Sequence, residues 1–276
     1  MKFIILGCGS SMGVPRSDGY FGNCDPKNKK NYRTRCSALI KTKTENIIID
    51  TSPDLRNQLI KNNIKRVDKV LYSHMHADQT HGINDLRVFY IQKQKPIPVY
   101  ADKPTRKYLL NTFNYCFYNV TKGYPATLKL YPIKKKFFIN DNKNKIPVSS
   151  VKVKHGNVDS ICYIINKSLA YISDVSEIYR KDFKHFKNPW HPTKAMVTVD
   201  SATFRLHAKG TLQVTCARAP WIGSGWNCKL DKSLWHLMMY NVDGGGFASG
   251  GPGSAWDYAD PVARLRVVNG VKTMLY

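Results

Sequence analysis

The stretch Leu71-Tyr-Ser-His74-Met-His76-Ala-Asp78-Gln79-Thr-His81-Gly82 concentrates residue types that bind and use a divalent cation. Its apolar lead-in, with Val67, Val70 and Leu71, reads as a strand, and the residues after it read as a helix. The histidines therefore occupy a strand-to-helix turn. His74 and His76 stand two apart in an extended segment and point the same way, so both imidazoles can bind one cation. Asp78, at the turn, can face a second cation or an attacking water. One histidine alone is ordinarily a surface or satisfied core residue; His74, His76 and Asp78 at this spacing after a strand form a metal-ligand pattern.

A rigid frame must hold these groups, and the first two thirds of the chain alternates β-rich and helical patterns. Strands are predicted at Phe3–Leu6, Ser37–Lys41, Ile47–Asp50, Lys69–Tyr72, Pro98–Tyr100, Val148–Lys154, Ile161–Ile165 and Leu169–Ser173. Helices are predicted at Asp54–Lys61, Asp78–Tyr90, Pro104–Phe117 and Glu177–Phe186. Strand pairs interrupted by occasional helices, with polar motifs just after strands, imply an α/β protein of two packed sheets flanked by helices.

With 276 residues, 42% of them hydrophobic, the chain can bury a sizeable core and does not have the composition of a disordered protein. No apolar run approaches the roughly eighteen residues that span a bilayer, and the start, MKFIILGCGSS, reads as a strand entering a Gly/Ser loop. A cytoplasmic protein with no membrane partner is expected. The seven cysteines, at 8, 24, 36, 116, 162, 216 and 228, are odd in number and never form a CxxC pair, which argues for reduced thiols. The formal net charge of +24 suits phosphate-bearing ligands and nucleic acid. The lysines are scattered, however, as on a solvated surface.

Composition changes near Asn188. Residues 1–188 hold 34 of the 43 basic residues, whereas all five tryptophans and 10 of the 18 glycines fall in 189–276. The tail carries DGGGFASGGPGSAWDYADP at 243–261, expected to be irregular. A second domain, a fused foreign segment and a scrambled C-terminus all fit this break.

The HxHxD pattern resembles the metal signature of the metallo-β-lactamase superfamily. Leu6–Arg16, Gly22-Asn23-Cys24-Asp25-Pro26, Arg35-Cys36-Ser37, Ile49–Arg56 and Gly82–Arg87 are similar to its PhnP-type cyclic-phosphate phosphodiesterase branch. The resemblance covers residues 1–188. It implies a four-layer αββα sandwich, with an atypical C-terminal segment here, and one or two divalent ions, zinc or manganese, between the sheet edges. It further implies His155, in Val151-Lys-Val-Lys-His155-Gly-Asn157, as a third ligand histidine, and Asp174, after Ala170-Tyr-Ile-Ser173, as a metal-bridging carboxylate. Read without the family, His155 is an ordinary strand end and Asp174 a helix cap.

Two departures from the pattern stand out. Gln79 occupies the place of a second-metal histidine, and an amide oxygen binds borderline metals less well than imidazole does; His81, two residues on, points about 200° away on a helix. The family's final histidine has no clear counterpart. Prolines flank His191, so the alternative is a strand from Met196 to His207. Cys24 stands alone, so a structural zinc site is not supported. Asp50 is expected to order the metal loop, and the 7–16 loop to offer N–H groups to an anion or to be a plain turn. Arg87 is a candidate for binding substrate phosphate or for an ion pair with Asp85 or Asp54.

These features lead to an expectation of metal-dependent phosphodiester hydrolysis, with a small cyclic or sugar phosphate as substrate and Asp78 orienting the attacking water. A tRNA 3′-processing nuclease shares this chemistry, but no long insertion reads as an RNA-gripping arm. A catalytically inactive anion- or nucleic-acid-binding protein of the same fold is the third reading. Oligomeric state is not legible in the sequence.

Overall fold

A computed structural model describes residues 1–182 except 23, 120–122, 168, 177 and 180, together with the backbone of strands at 195–198, 202–206 and 212–216. Among these residues two sheets pack face to face. The first contains β1 (Lys2–Gly7), β2 (Ser37–Lys41), β3 (Asn46–Ile49), β4 (Lys69–Leu71), β5 (Ile97–Ala101) and β6 (Leu128–Pro132), in that spatial order. Strands β1 to β3 are antiparallel and β3 to β6 are parallel. The second sheet runs β11 (Ala195–Thr198), β10 (Leu169–Ile172), β9 (Val158–Ile165), β8 (Asn144–His155), β7 (Lys136–Asp141). It is antiparallel except for β10 and β11. Strands β12 (Ala202–Leu206) and β13 (Leu212–Cys216) form a separate antiparallel pair.

The first sheet is buried on both faces, which explains why β3 is apolar at three successive positions. Successive side chains alternate sides. Ile47 and Ile49 enter the core between the sheets with Ile40, Leu71, Val151, Val153, Ile161 and Tyr163. Ile48, facing the other way, joins Leu39, Val70 and Tyr72 under the helices. Those helices are α1 (Leu55–Lys61), α2 (Ala77–Thr80), α3 (Arg87–Lys93), α4 (Lys103–Thr112) and α5 (Asn114–Phe117). They bury Leu55 and Leu59, Phe89, and Leu109 against the sheet. Asp102 caps α4 by accepting the Thr105 N–H at 3.0 Å. The architecture is that of the metallo-β-lactamase αββα sandwich; the helix expected at Glu177–Phe186 lies largely outside the described residues.

The eight predicted strands form within a few residues of their expected bounds, and β6, β7 and β13 are additional. The helix expected over Asp78–Tyr90 is instead three pieces: α2, a 3-10 turn at Ile83–Leu86, and α3. Gly82 causes the break. A Cβ there would lie 1.9 Å from the Ser52 carbonyl oxygen, and the Gly82 N–H donates to Thr51 O at 2.9 Å, so the backbone is pinned to the loop after β3. The helix expected over Pro104–Phe117 is interrupted at Phe113. A strand expected to run from Met196 to His207 is two strands, β11 and β12, of which β11 lies parallel to β10. His191, His207 and 243–261 lie outside the described residues.

Candidate metal centre

Topology brings the predicted ligands to one edge. Parallel β3 and β4 end side by side, delivering Asp50 and the His74–Asp78 turn. In the second sheet β8 and β10 both run antiparallel to β9, so both end at the same side, delivering His155 and Asp174. The backbone joins the two sets: Ile161 N–H donates to Ser73 O at 2.9 Å, and Tyr163 O–H donates to Tyr72 O at 2.7 Å.

His74, His76 and His155 converge, one ring nitrogen of each lying within 4.8 Å of the others. His74 Nε2 is 3.1 Å from His76 Nδ1, which is 3.3 Å from His155 Nε2. Nitrogens bound tetrahedrally to one zinc at about 2.0–2.1 Å lie about 3.3 Å apart. Two of the three spacings therefore match that of a shared cation, and the three residues could hold one. Asp174 faces the same point, its Oδ2 3.8 Å from His74 Nε2 and its Oδ1 3.9 Å from His155 Nε2.

Protonation favours the same reading. Burial, followed by the neighbouring imidazoles, holds His74 well below the ordinary imidazole value and His76 below it. Burial also lowers His155, against the Asp78 charge. Neutral imidazoles are what a cation requires.

The tautomer of His74 follows from its neighbours. Asp50 is fully buried, with φ of 61°, and receives the Ser73 N–H on Oδ1 and the Ser73 hydroxyl on Oδ2, both at 2.7 Å. With Asp50 ionised the Ser73 proton is committed to it, and Ser73 Oγ accepts from His74 Nδ1–H at 3.0 Å and from the Ser173 hydroxyl at 2.9 Å. His74 Nε2 is left with its lone pair toward the centre. Desolvation lifts the Asp50 carboxyl to about 8, against the two bonds from Ser73.

Thr51 secures the other half of the turn, its N–H donating to Gln79 O at 2.7 Å and its hydroxyl to Thr80 O at 3.1 Å. Asp78 is buried and its carboxyl raised above the usual range, chiefly by desolvation. Its Oδ2 accepts from Gln79 Nε2 at 2.9 Å, and the same amide nitrogen donates to Asp174 Oδ2 at 3.1 Å.

Several sequence candidates are placed elsewhere. His81 turns away from the centre: Nε2 bonds the Tyr108 hydroxyl at 2.8 Å and the ring packs on Phe113. It does not take the place of a ligand at position 79. Arg87 lies over the Tyr124 ring at 5.4 Å, whereas Asp54 is held by a two-pronged bond from Arg35, and Asp85 caps the Arg56 N–H. The 7–16 loop spends the N–H groups of Gly9, Gly13 and Val14 on Thr34, Ser10 and Arg33 carbonyls, so these are not available to an anion. Cys8, Cys116 and Cys162 form no disulfide. Sequence reading passed over Ser73 and Ser173; the available signal was a hydroxyl immediately preceding His74 and Asp174 at two strand ends.

Comparison with known proteins agrees with this geometry. Residues 45–219 match the family model for the beta-lactamase superfamily domain. A solved structure of a diphosphatase from the PhnP family is 26% identical, with a TM-score of 0.58, over 67% of this chain and 69% of that one. Zinc-bound PqqB from Methylobacterium extorquens is 16% identical, with a TM-score of 0.54, over 73% of each chain, a likeness of fold. An octanoyltransferase from Porphyromonas gingivalis is 31% identical over 193 residues, and this chain spans 37% of its length. With the matching segment running from β3 through β13 and taking in the whole His74–Asp174 edge, the chain belongs to the beta-lactamase superfamily.

Proposed function

We propose that this chain is a metal-dependent hydrolase that cleaves a phosphodiester in a small phosphorylated substrate. The observation that carries the reading is the convergence of three imidazoles, with nitrogen spacings of 3.1 Å and 3.3 Å about His76, and two buried carboxylates beside them. The likeness to a PhnP-family diphosphatase supports phosphorus chemistry in particular. A divalent ion held there would supply Lewis-acid polarisation of a phosphoryl oxygen and activation of a water.

The chain's own residues do the rest. His74, in the Nδ1–H form that Ser73 favours, together with His76 and His155 would hold the cation through ring lone pairs. Asp174 supplies negative charge at the second sheet's edge. Asp78, buried and with its carboxyl raised above the usual range by desolvation, would orient the attacking water and accept its proton. Zinc and manganese both suit this mixture of nitrogen and oxygen donors.

Hydrolysis of bis(p-nitrophenyl) phosphate and of a cyclic nucleotide by the purified chain tests the reading. Activity should vanish on chelation and return with zinc or manganese. A chain that holds metal yet hydrolyses neither substrate would overturn it and favour an anion-binding role. Cleavage of precursor tRNA in preference to both would favour the nuclease reading.

A further inference from the structure

The donor set fits one cation well and a second one poorly. In the family pattern implied by the HxHxD motif, a second ion requires a ligand from position 79, and here that side chain is an amide, fully buried. Its Nε2 carries two N–H bonds, and both are used: one reaches Asp78 Oδ2 at 2.9 Å and the other Asp174 Oδ2 at 3.1 Å. A second cation would have to lie between these same two carboxylates. Two buried carboxylates repel unless positive charge or hydrogen-bond donors separate them, and the amide does so as a neutral donor.

The orientation of the amide follows from its surroundings. Turned over, Oε1 would face two carboxylate oxygens, an arrangement without a single donor. As placed, Oε1 is a buried acceptor with no hydrogen-bond partner among the described residues. An orphaned acceptor is tolerated because two charge-assisted bonds are stronger than the one neutral bond it forgoes. His81, the other imidazole near this position, is committed to Tyr108.

We infer that Gln79 stands in for the second metal ion, bridging Asp78 and Asp174 through its amide N–H groups, so that the chain binds one divalent cation through His74, His76 and His155. Asp78 is then a positioned carboxylate and not a metal ligand, its Oδ2 fixed by the amide. This inference rests on the reading of the histidine cluster as a metal centre.

Metal stoichiometry of the chain tests it without reference to activity. The protein is stripped with chelator, incubated with excess zinc or, separately, manganese, desalted, and analysed by inductively coupled plasma mass spectrometry. One equivalent is expected in the wild type, and two in Gln79→His, which restores an imidazole ligand and removes the bridging donor. Gln79→Glu, nearly isosteric with the native residue, guards against a histidine variant that fails to fold. It sets a third carboxylate against Asp78 and Asp174 and should also retain a second equivalent. Two equivalents in the wild type would overturn the inference, because the amide must then have turned its oxygen to a cation. One equivalent in folded variants of both kinds would overturn it as well, since residue 79 would not control the second position. Zero equivalents in the wild type would overturn the metal-centre reading, and this inference with it.

Discussion

Ser73 and Ser173, a hundred residues apart, meet hydroxyl to hydroxyl at 2.9 Å between the two sheets. Each directly precedes a residue of the metal centre, His74 in one case and Asp174 in the other. Because Ser73 also binds Asp50 and His74, a single buried chain of hydrogen bonds ties the position of the carboxylate from one sheet to the imidazole tautomer of the other. Partners of this kind, lying behind the ligands, orient them and tune their basicity.

Ser73→Ala should therefore weaken metal binding without touching a ligand. His74 Nδ1–H loses its acceptor, the ring is free to choose its tautomer, and Asp50 Oδ2 and the Ser173 hydroxyl lose their partner. Losing such an outer partner costs about 10–100-fold in metal affinity. Each buried polar group left unsatisfied costs about 1–3 kcal/mol of stability. Competition titration against a chromophoric chelator measures the first, and urea denaturation of the metal-free protein the second. Unchanged affinity in a folded variant would show that Ser73 serves only the fold.

The pH dependence of the metal-free protein has two opposed parts. His74, His76 and His155 sit below their ordinary value of 6.5 in the folded state, so the unfolded chain binds more protons on acidification. Their contribution is complete above 6.5 and is lost as pH falls below it. Asp50 has the opposite sign: its carboxyl is raised to about 8, so its contribution is present below the ordinary value of 3.8 and is lost as pH rises toward 8. Thermal midpoints recorded from pH 5 to 8.5 should fall at the acid end, less steeply in His155→Asn. They should fall less toward alkaline pH in Asp50→Asn, which keeps an acceptor for Ser73 but cannot ionise. A parallel pair of curves for Asp50→Asn and wild type would refute the assignment.

The parts of this molecule that repeat with a regular period were legible in the sequence. Ile47, Ile48 and Ile49 announce a strand buried on both faces, and His74 and His76 announce a shared direction at its neighbour's end. His155 and Asp174 became legible only through family resemblance, because in isolation each is one polar residue after one strand. What escaped were contacts across the sheets. Nothing local in Ser73 specifies Ser173, and nothing in Gln79 specifies that its amide reaches Asp174, 95 residues away. The helix expected over Asp78–Tyr90 failed for the same kind of reason. Its apolar period is genuine, but the close approach of Gly82 to Ser52 overrides it.

That close approach makes Gly82→Ala a sharp structural probe. The added methyl would meet backbone, the Ser52 carbonyl, and not the end of a side chain that can swing aside. Forcing extra volume into a packed site costs roughly 1–3 kcal/mol, occasionally more. The shift must also strain the Thr51 bonds that hold Gln79 and Thr80. We expect a lowered denaturation midpoint together with weaker metal binding. Full stability in the alanine variant would mean that the loop after β3 has room the structure does not show.

His76→Ala separates the chemistry from the fold. His76 Nδ1 lies 3.1 Å from His74 Nε2 and 3.3 Å from His155 Nε2, so its loss removes the vertex common to both short spacings. Its side chain belongs to a loop above the sheets and to neither hydrophobic core, so the sandwich should survive. We expect a far-ultraviolet circular dichroism spectrum like that of the wild type and a metal-free thermal midpoint within a few degrees of it. Metal retained after desalting should fall well below one equivalent, and metal-stimulated phosphodiester hydrolysis should be lost. The decisive comparison is between the two readouts: a variant that loses metal but hydrolyses as before would detach catalysis from this centre, whereas joint loss of both places the reaction at the edge where β4 and β8 end.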